Sequence, residues 1–316
     1  MTTIDKFIKS SSPYKYASTK SKTIFLPGFK GLPLYDVITF FKNQVQKVGL
    51  NDRARSIAFS FLMAIPAAMI FLCTLIPYLP VSKKLTKQLL LLTKEITPNQ
   101  NTNVMVSNFI NDFLTKQRGG LLSIGLVVTL YFASNAMIGL MQSFNKSLTS
   151  YTPRNFIVNR LVAIRLTLVM ILLLIGSVLI LVTQDELLHY IFRAFNIQKN
   201  SMRGVVKSLR WIVIIPLFYF TIAFIYKHAP AIKEKWRLIS PGTTLATTLM
   251  ILLTFIFSFW VNKFGTYNKV YGSIGTIMIL MIVIYFNALI LLIGFELNVS
   301  IHSLQEKAKK RGKFKN

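Results

Sequence analysis

Six stretches without a single charged residue constrain this chain more than any other feature: 56–82, 119–145, 166–184, 211–226, 238–262 and 270–295. A helix rises about 1.5 Å per residue, so about 20 residues cross a hydrocarbon core about 30 Å thick. Five of the runs meet that length or nearly so. The fourth has only sixteen residues, but Arg210 and Lys227 flank it and can carry their charged ends to the interface. The fold class that follows is an all-α polytopic membrane protein with six transmembrane helices. Composition agrees: 53% of the 316 residues are hydrophobic and 15% charged, against roughly 25% charged in soluble domains.

The net charge of +27 fits two kinds of partner, nucleic acid or an anionic lipid leaflet. The basic residues flank the apolar runs instead of forming one patch. That distribution makes the phospholipid bilayer, with anionic lipids in it, the expected partner and argues against a specific nucleic acid; protein partners stay open. Connections on the side of the termini hold 24 Lys and Arg, and those on the other side 13, which puts both termini in the cytoplasm by the positive-inside rule.

The remaining segments fall into place around the spans. Residues 1–33 form a basic N-terminal segment that reads as mobile to about Phe29, with no cleavable signal pattern. Over 34–50, Leu34, Val37, Ile38, Phe41, Val45 and Val48 share one face, as in an amphipathic helix lying in the interface. Residues 51–303 are the six-helix membrane domain, and 304–316 a basic cytoplasmic tail. The long connection 83–118 is patterned as a helical outer loop, with Leu85, Leu89, Leu92 and Ile96 on one face and a second helix over 104–114.

Chemistry-bearing clusters are sparse. Cys73 is the one cysteine, so no internal disulfide or thiolate metal site can form. His189, His228 and His302 are far apart, and no metal or other cofactor is expected. No G-x-S-x-G, H-E-x-x-H or Walker loop occurs, and the expectation is a protein that is not an enzyme.

Attention therefore moves to neutral polar groups inside the runs. At about 100° per residue, Asn135, Gly139 and Gln142 share a face in the second run. Thr243, Thr247, Thr254 and Ser258 share one in the fifth, and Thr276, Asn287, Gly294 and Asn298 form a line in the sixth. Such stripes either glue helices together or line a polar path, and both readings stand at this point. Glu296 ends the sixth run, about 180° from Asn287 on the helix. It is either an interfacial carboxylate paired with a lysine or arginine, or a proton- or cation-coupling acid. Arg118 on the outer side, and Arg160 and Arg165 on the inner, are candidates for binding an anionic headgroup.

Several strings resemble the YihY/BrkB family of bacterial inner-membrane proteins, once labelled ribonuclease BN. They are FSFLMAIPAAMIFLCTLIPYLP (59–80), GLLSIG (120–125) with SNAMIGLMQSFNKS (134–147), the stretch 241–276, and LLIGFELNVSI (291–301). The resemblance spans roughly 52–303. It implies a six-helix protein of the bacterial inner membrane with cytoplasmic termini, in a group associated with transport or virulence. The ribonuclease label resembles a zinc-dependent activity that needs H-x-H-x-D-H, which this sequence does not have. No catalytic residue is carried over. The signature positions Asn135, Tyr267, Asn268, Tyr271, Gly272, Gly275, Gly294, Glu296 and Asn298 are implied as structural or path-lining, with the motif from Tyr267 to Gly275 taken as a turn. The expected function is a transporter or a permease for lipids or anionic amphiphiles. The alternative is a non-catalytic structural or partner-binding protein of the cell envelope.

Overall fold

The computed structural model describes residues 20–25, 27–29, 31–79, 116–148, 151–194, 202–232, 236–263 and 267–310, with isolated positions between 86 and 114. Side chains are described for these residues except at 178, 180–194, 202–213 and 261–277. Among the described residues the secondary structure is helical. The main helices are α1 (Leu34–Lys47), α2 (Leu50–Leu75, continued by a 3-10 turn, Ile76–Tyr78), α3 (Gly119–Asn145), α4 (Phe156–Ala194), α5 (Met202–His228), α6 (Pro241–Lys263) and α7 (Tyr267–Lys310).

Five of these helices are long and apolar enough to cross a membrane: Leu50–Tyr78, Gly119–Asn145, Phe156–Ser177, Pro241–Trp260 and Met278–Lys310. A shorter apolar helix, Ile214–His228, stands where the sixteen-residue run is. The helices overrun the uncharged stretches because a charge ends a hydropathy run without ending a helix. Arg160 and Arg165 lie inside α4, and Arg53 and Arg55 inside α2. The motif from Tyr267 to Gly275 is not a turn but the first turns of α7. Residues 1–19 and 311–316, and most of the connection 83–118 expected to hold outer helices, lie outside the described residues.

The chain forms two compact units. One comprises Met1–Ala58, Leu140–Arg154 and Ile222–Asn316, the other Phe59–Gly139 and Asn155–Thr221.

In the first unit, α6 and α7 meet at two glycines. A Cβ on Gly242 would lie 2.0 Å from the Gly294 carbonyl oxygen, and one on Gly294 would lie 2.5 Å from the Tyr226 hydroxyl. Only a residue without a side chain allows backbones to approach this closely. Asn298 locks the crossing, accepting from the Gly242 N–H at 2.8 Å and donating to Ser240 Oγ at 2.9 Å. Phe144 stacks on Phe295 with centroids 3.9 Å apart, and the Tyr226 hydroxyl donates to the Leu291 carbonyl at 2.7 Å.

The end of α5 would leave carbonyls unpaired. Arg154 answers this by donating to the carbonyls of Ala229 at 3.1 Å and Pro230 at 2.8 Å. The segment expected to be mobile is packed at its end. Phe29 and Leu32 are buried with Val37 of α1 and Leu297 and Ile301 of α7, because an aromatic and a leucine give this stretch apolar area to bury.

In the second unit, α2 and α3 run antiparallel. Thr129 Oγ1 donates to the Ala67 carbonyl at 2.8 Å, a Cβ on Gly125 would meet Phe71, and one on Gly139 would meet Ser60. Partners descend along α2 as they ascend along α3.

Gly242→Ala and Gly294→Ala should each force α6 and α7 apart, at a cost of about 1–3 kcal/mol. Thermal unfolding of the detergent-purified protein checks this, with Gly176→Ala, inside α4 where an added Cβ meets nothing within 4 Å, leaving the midpoint no lower than wild type.

Candidate functional site

Two places in the described structure gather groups with chemistry beyond packing, one in each unit. The first is built around Glu296, which has no solvent-exposed surface. A carboxylate removed from water must be compensated inside the protein, and three elements supply the compensation. Arg53, the fourth residue of α2, brings Nη1 to 3.7 Å from Glu296 Oε1. Ser147, just past the end of α3, bridges the two: its hydroxyl donates to Glu296 Oε1 and accepts from Arg53 Nη1 at 2.7 Å. The same Nη1 donates to the Ser143 carbonyl at 3.1 Å. Gln44 of α1 also approaches the carboxylate.

Gly49 makes this convergence possible. It stands between α1 and α2 with φ of 63°, the left-handed conformation that glycine adopts without penalty after a helix end. The helical path breaks there, and a residue near the end of α1 and one at the start of α2 both act on the same carboxylate. The compensation is unequal across the two oxygens. Glu296 Oε1 has its partners, while Oε2 is buried with none among the described residues.

The second place is in the other unit. Arg160, the fifth residue of α4, donates to Asn135 Oδ1 of α3. Its guanidinium also lies over the Tyr131 ring, with Cζ 5.1 Å from the centroid. An amide oxygen and an aromatic face thus hold a cation at one end of α4. Around it, Phe156, Ile157 and Leu161 are 84%, 70% and 61% exposed, so this end of α4 presents large apolar side chains beside the guanidinium.

The other residues singled out in the sequence fall elsewhere. Asn298 is interhelical glue, as described above. Asn287 donates to the Val283 carbonyl one turn earlier at 2.8 Å, and Thr254 to the Met250 carbonyl at 2.8 Å, so both are satisfied within their own helices. Thr247 is buried, and its hydroxyl has no partner among the described residues. Gln142, Ser258 and Arg165 are exposed, and the side chain of Thr276 lies outside the described residues. Arg118 pairs with Asp112, which Lys116 also approaches at 2.6 Å. The Lys116 ammonium bonded to Asp112, with Arg118 beside it, holds that carboxyl below its ordinary range. Among the described residues, no three His, Cys, Asp or Glu side chains gather as metal ligands would.

Sequence reasoning did not single out Arg53, Ser143 or Ser147. Arg53 counted there only as one more basic residue before the first span. A signal was present in its place on the helix: an arginine one turn inside a long apolar helix needs a partner, and Glu296 is the acid at the matching end of another.

The model of the family described as "Virulence factor BrkB" matches residues 41–316. The chain belongs to this family. Its relatives include the ribonuclease-like protein YfkH of Bacillus subtilis, 30% identical over 84% of this chain and 96% of YfkH. A UPF0761 membrane protein of Idiomarina loihiensis is 26% identical over 63% of this chain and 68% of its own. Another from Tolumonas auensis is 34% identical over 29% of this chain and 30% of its own. No solved structure matches the chain. Family membership and the apolar helices together make this an integral membrane protein of the BrkB and UPF0761 group, in contact with the lipid bilayer.

Removing one partner of a buried pair strands the other, at a cost of about 3–5 kcal/mol, whereas apolar replacement of both can be neutral. Arg53→Met alone should therefore lower the unfolding midpoint more than Arg53→Met combined with Glu296→Leu. A double-mutant cycle by thermal unfolding in detergent measures the difference.

Proposed function

We propose that this BrkB-family protein is a non-enzymatic permease of the bacterial inner membrane, with both termini in the cytoplasm, that moves an anionic amphiphile such as a lipid. The observation that carries the reading is the Arg160, Asn135 and Tyr131 grouping beside exposed apolar side chains of α4. An anionic amphiphile has two ends with opposite needs. Its headgroup seeks a cation that keeps donors to share, and its chains seek an apolar surface.

Arg160 offers the first and Phe156, Ile157 and Leu161 the second, within two turns of one helix. Asn135 and Tyr131 hold the guanidinium in place, and preorganisation of this kind reduces the side-chain entropy lost on binding. The excess of Lys and Arg on the side of the termini supports the cytoplasmic assignment. It would also concentrate anionic lipid near this end of α4.

Flux of a fluorescent phosphatidylglycerol across reconstituted vesicles tests the proposal. Arg160→Ala and Asn135→Leu should each lower the initial rate about tenfold or more, the scale of about 1.4 kcal/mol of lost interaction, while insertion and unfolding midpoint stay close to wild type. Asn287→Leu should have a much smaller effect, because that amide is bonded within its own helix. Equal rates for wild type and both Arg160→Ala and Asn135→Leu would overturn the assignment.

A further inference from the structure

We infer that Arg53 and Glu296 form an anion site linked to a proton: a phosphodiester anion docks on the free edge of the Arg53 guanidinium, and Glu296 then takes up one proton. This goes beyond the proposed permease activity and does not depend on it.

The argument starts from the donors of Arg53. A guanidinium carries five N–H groups in a planar fork. Nη1 serves Glu296, Ser147 and Ser143, while Nε and Nη2 have no protein partner among the described residues. The side chain keeps 14% of its surface exposed, so a ligand can reach it. Two adjacent N–H groups of this fork match two oxygens of a phosphodiester. On the inner side of the pair lies Glu296 with no exposed surface and an unpartnered Oε2. The pair thus has open donors at its Arg53 end and, at its Glu296 end, an Oε2 without a hydrogen bond among the described residues, with the Gln44 side chain beside the carboxylate.

With both groups ionised, the pair is neutral. A docked anion adds a second negative charge to one cation, in a place where unpaired charge is costly. One proton relieves this. It comes from hydronium or a buffer acid in the water on the open side of Arg53: the donor's bond to that proton breaks, leaving water or the buffer base, and an O–H bond forms on the Glu296 carboxylate. Ser147 accommodates the change because a hydroxyl both donates and accepts. It donates to the carboxylate, and after rotation it can accept from the carboxylic acid.

Among the described residues, three side chains act on the Glu296 carboxylate. From α1 comes the uncharged Gln44, from α2 Arg53, and from beyond α3 Ser147. Arg53 is the charged group among the described residues that acts on it.

A lipid headgroup and a free phosphodiester share this chemistry, so the test uses both. The purified full-length chain is titrated calorimetrically with short-chain phosphatidylglycerol, and separately with glycerophosphoglycerol. Both probes keep one negative charge between about pH 5 and pH 9. Buffers of differing protonation enthalpy give the protons taken up per anion. Wild type should take up as many as one proton per anion within that range, and its affinity should rise by as much as about tenfold per pH unit as pH falls. Glu296→Gln should bind without proton uptake and without that pH dependence, and Arg53→Ala in the Glu296→Gln background should not bind. Binding of both probes marks a site for the phosphodiester itself, and binding of the lipid alone marks a site that also needs the chains.

Failure of wild type to bind either probe would overturn the inference. So would equal proton uptake by Glu296→Gln, or unchanged binding by the double variant. Loss of lipid flux in Arg160→Ala with this linkage intact bears on the permease reading and leaves the proton-linked site standing.

Discussion

A carboxylate with no exposed surface is the most demanding group in the described structure. Glu296 lies directly after the apolar run of α7, and its charge is tolerable there only because Arg53 and Ser147 reach it. That requirement fixes more than one pair of side chains. Arg53 must start α2 beside the later part of α7, and Ser147 must follow α3 at the same place. Gln44 acts on the same carboxylate, so the break between α1 and α2 at Gly49, whose φ is 63°, must leave both beside α7. The packing of α1 on α7 through Val37, Leu297 and Ile301 holds the same end of α7 in register. One buried charge thus couples the positions of α1 and α2 with the end of α3 and the later part of α7, which are distant in the chain.

The neighbouring helix crossing obeys a different constraint. Lipid provides little hydrophobic drive for helices to associate, so close backbone contact and hydrogen bonds have to supply it. Gly242 and Gly294 give the close contact, and Asn298 supplies the hydrogen bonds at the point where the backbones are nearest. Tyr226 adds a third element at this crossing, since its hydroxyl occupies the space that a larger residue at position 294 would need. In this unit the small residues, the amide and the aromatics form one contact, in which each needs the others' size.

Much of the fold was legible because hydropathy is a local property. The uncharged run 119–145 and α3 cover the same residues, since Arg118 and Lys146 flank it and two glycines begin it. The run 166–184 underestimates α4, which starts at Phe156, because arginines inside a helix interrupt hydropathy without interrupting hydrogen bonding. The motif from Tyr267 to Gly275, which the family resemblance implies as a turn, lies within α7. The polar stripes were legible as faces but not as partners. Angular position cannot tell whether Asn287 bonds across to another helix or back to the Val283 carbonyl. Nor could it join Arg53 to Glu296, whose pairing depends on how α2 and α7 lie in space.

These outcomes suggest how polar groups in a membrane helix should be weighed. A hydroxyl or amide can be satisfied at its own i−4 carbonyl, as Thr254 and Asn287 are, and then its presence says little about a ligand. An arginine cannot be satisfied so easily, because its fork of donors exceeds what one turn of helix can accept. Its leftover donors are therefore the better guide. Arg154 uses both terminal nitrogens on backbone carbonyls at the end of α5, which marks a structural cap. Arg53 uses one nitrogen and leaves an edge open beside a buried acid. Arg160 shares its charge between an amide and a ring and lies among exposed apolar side chains. Sorting the arginines by what their donors already hold separates the cap from the two places where a ligand's oxygens would still find a partner.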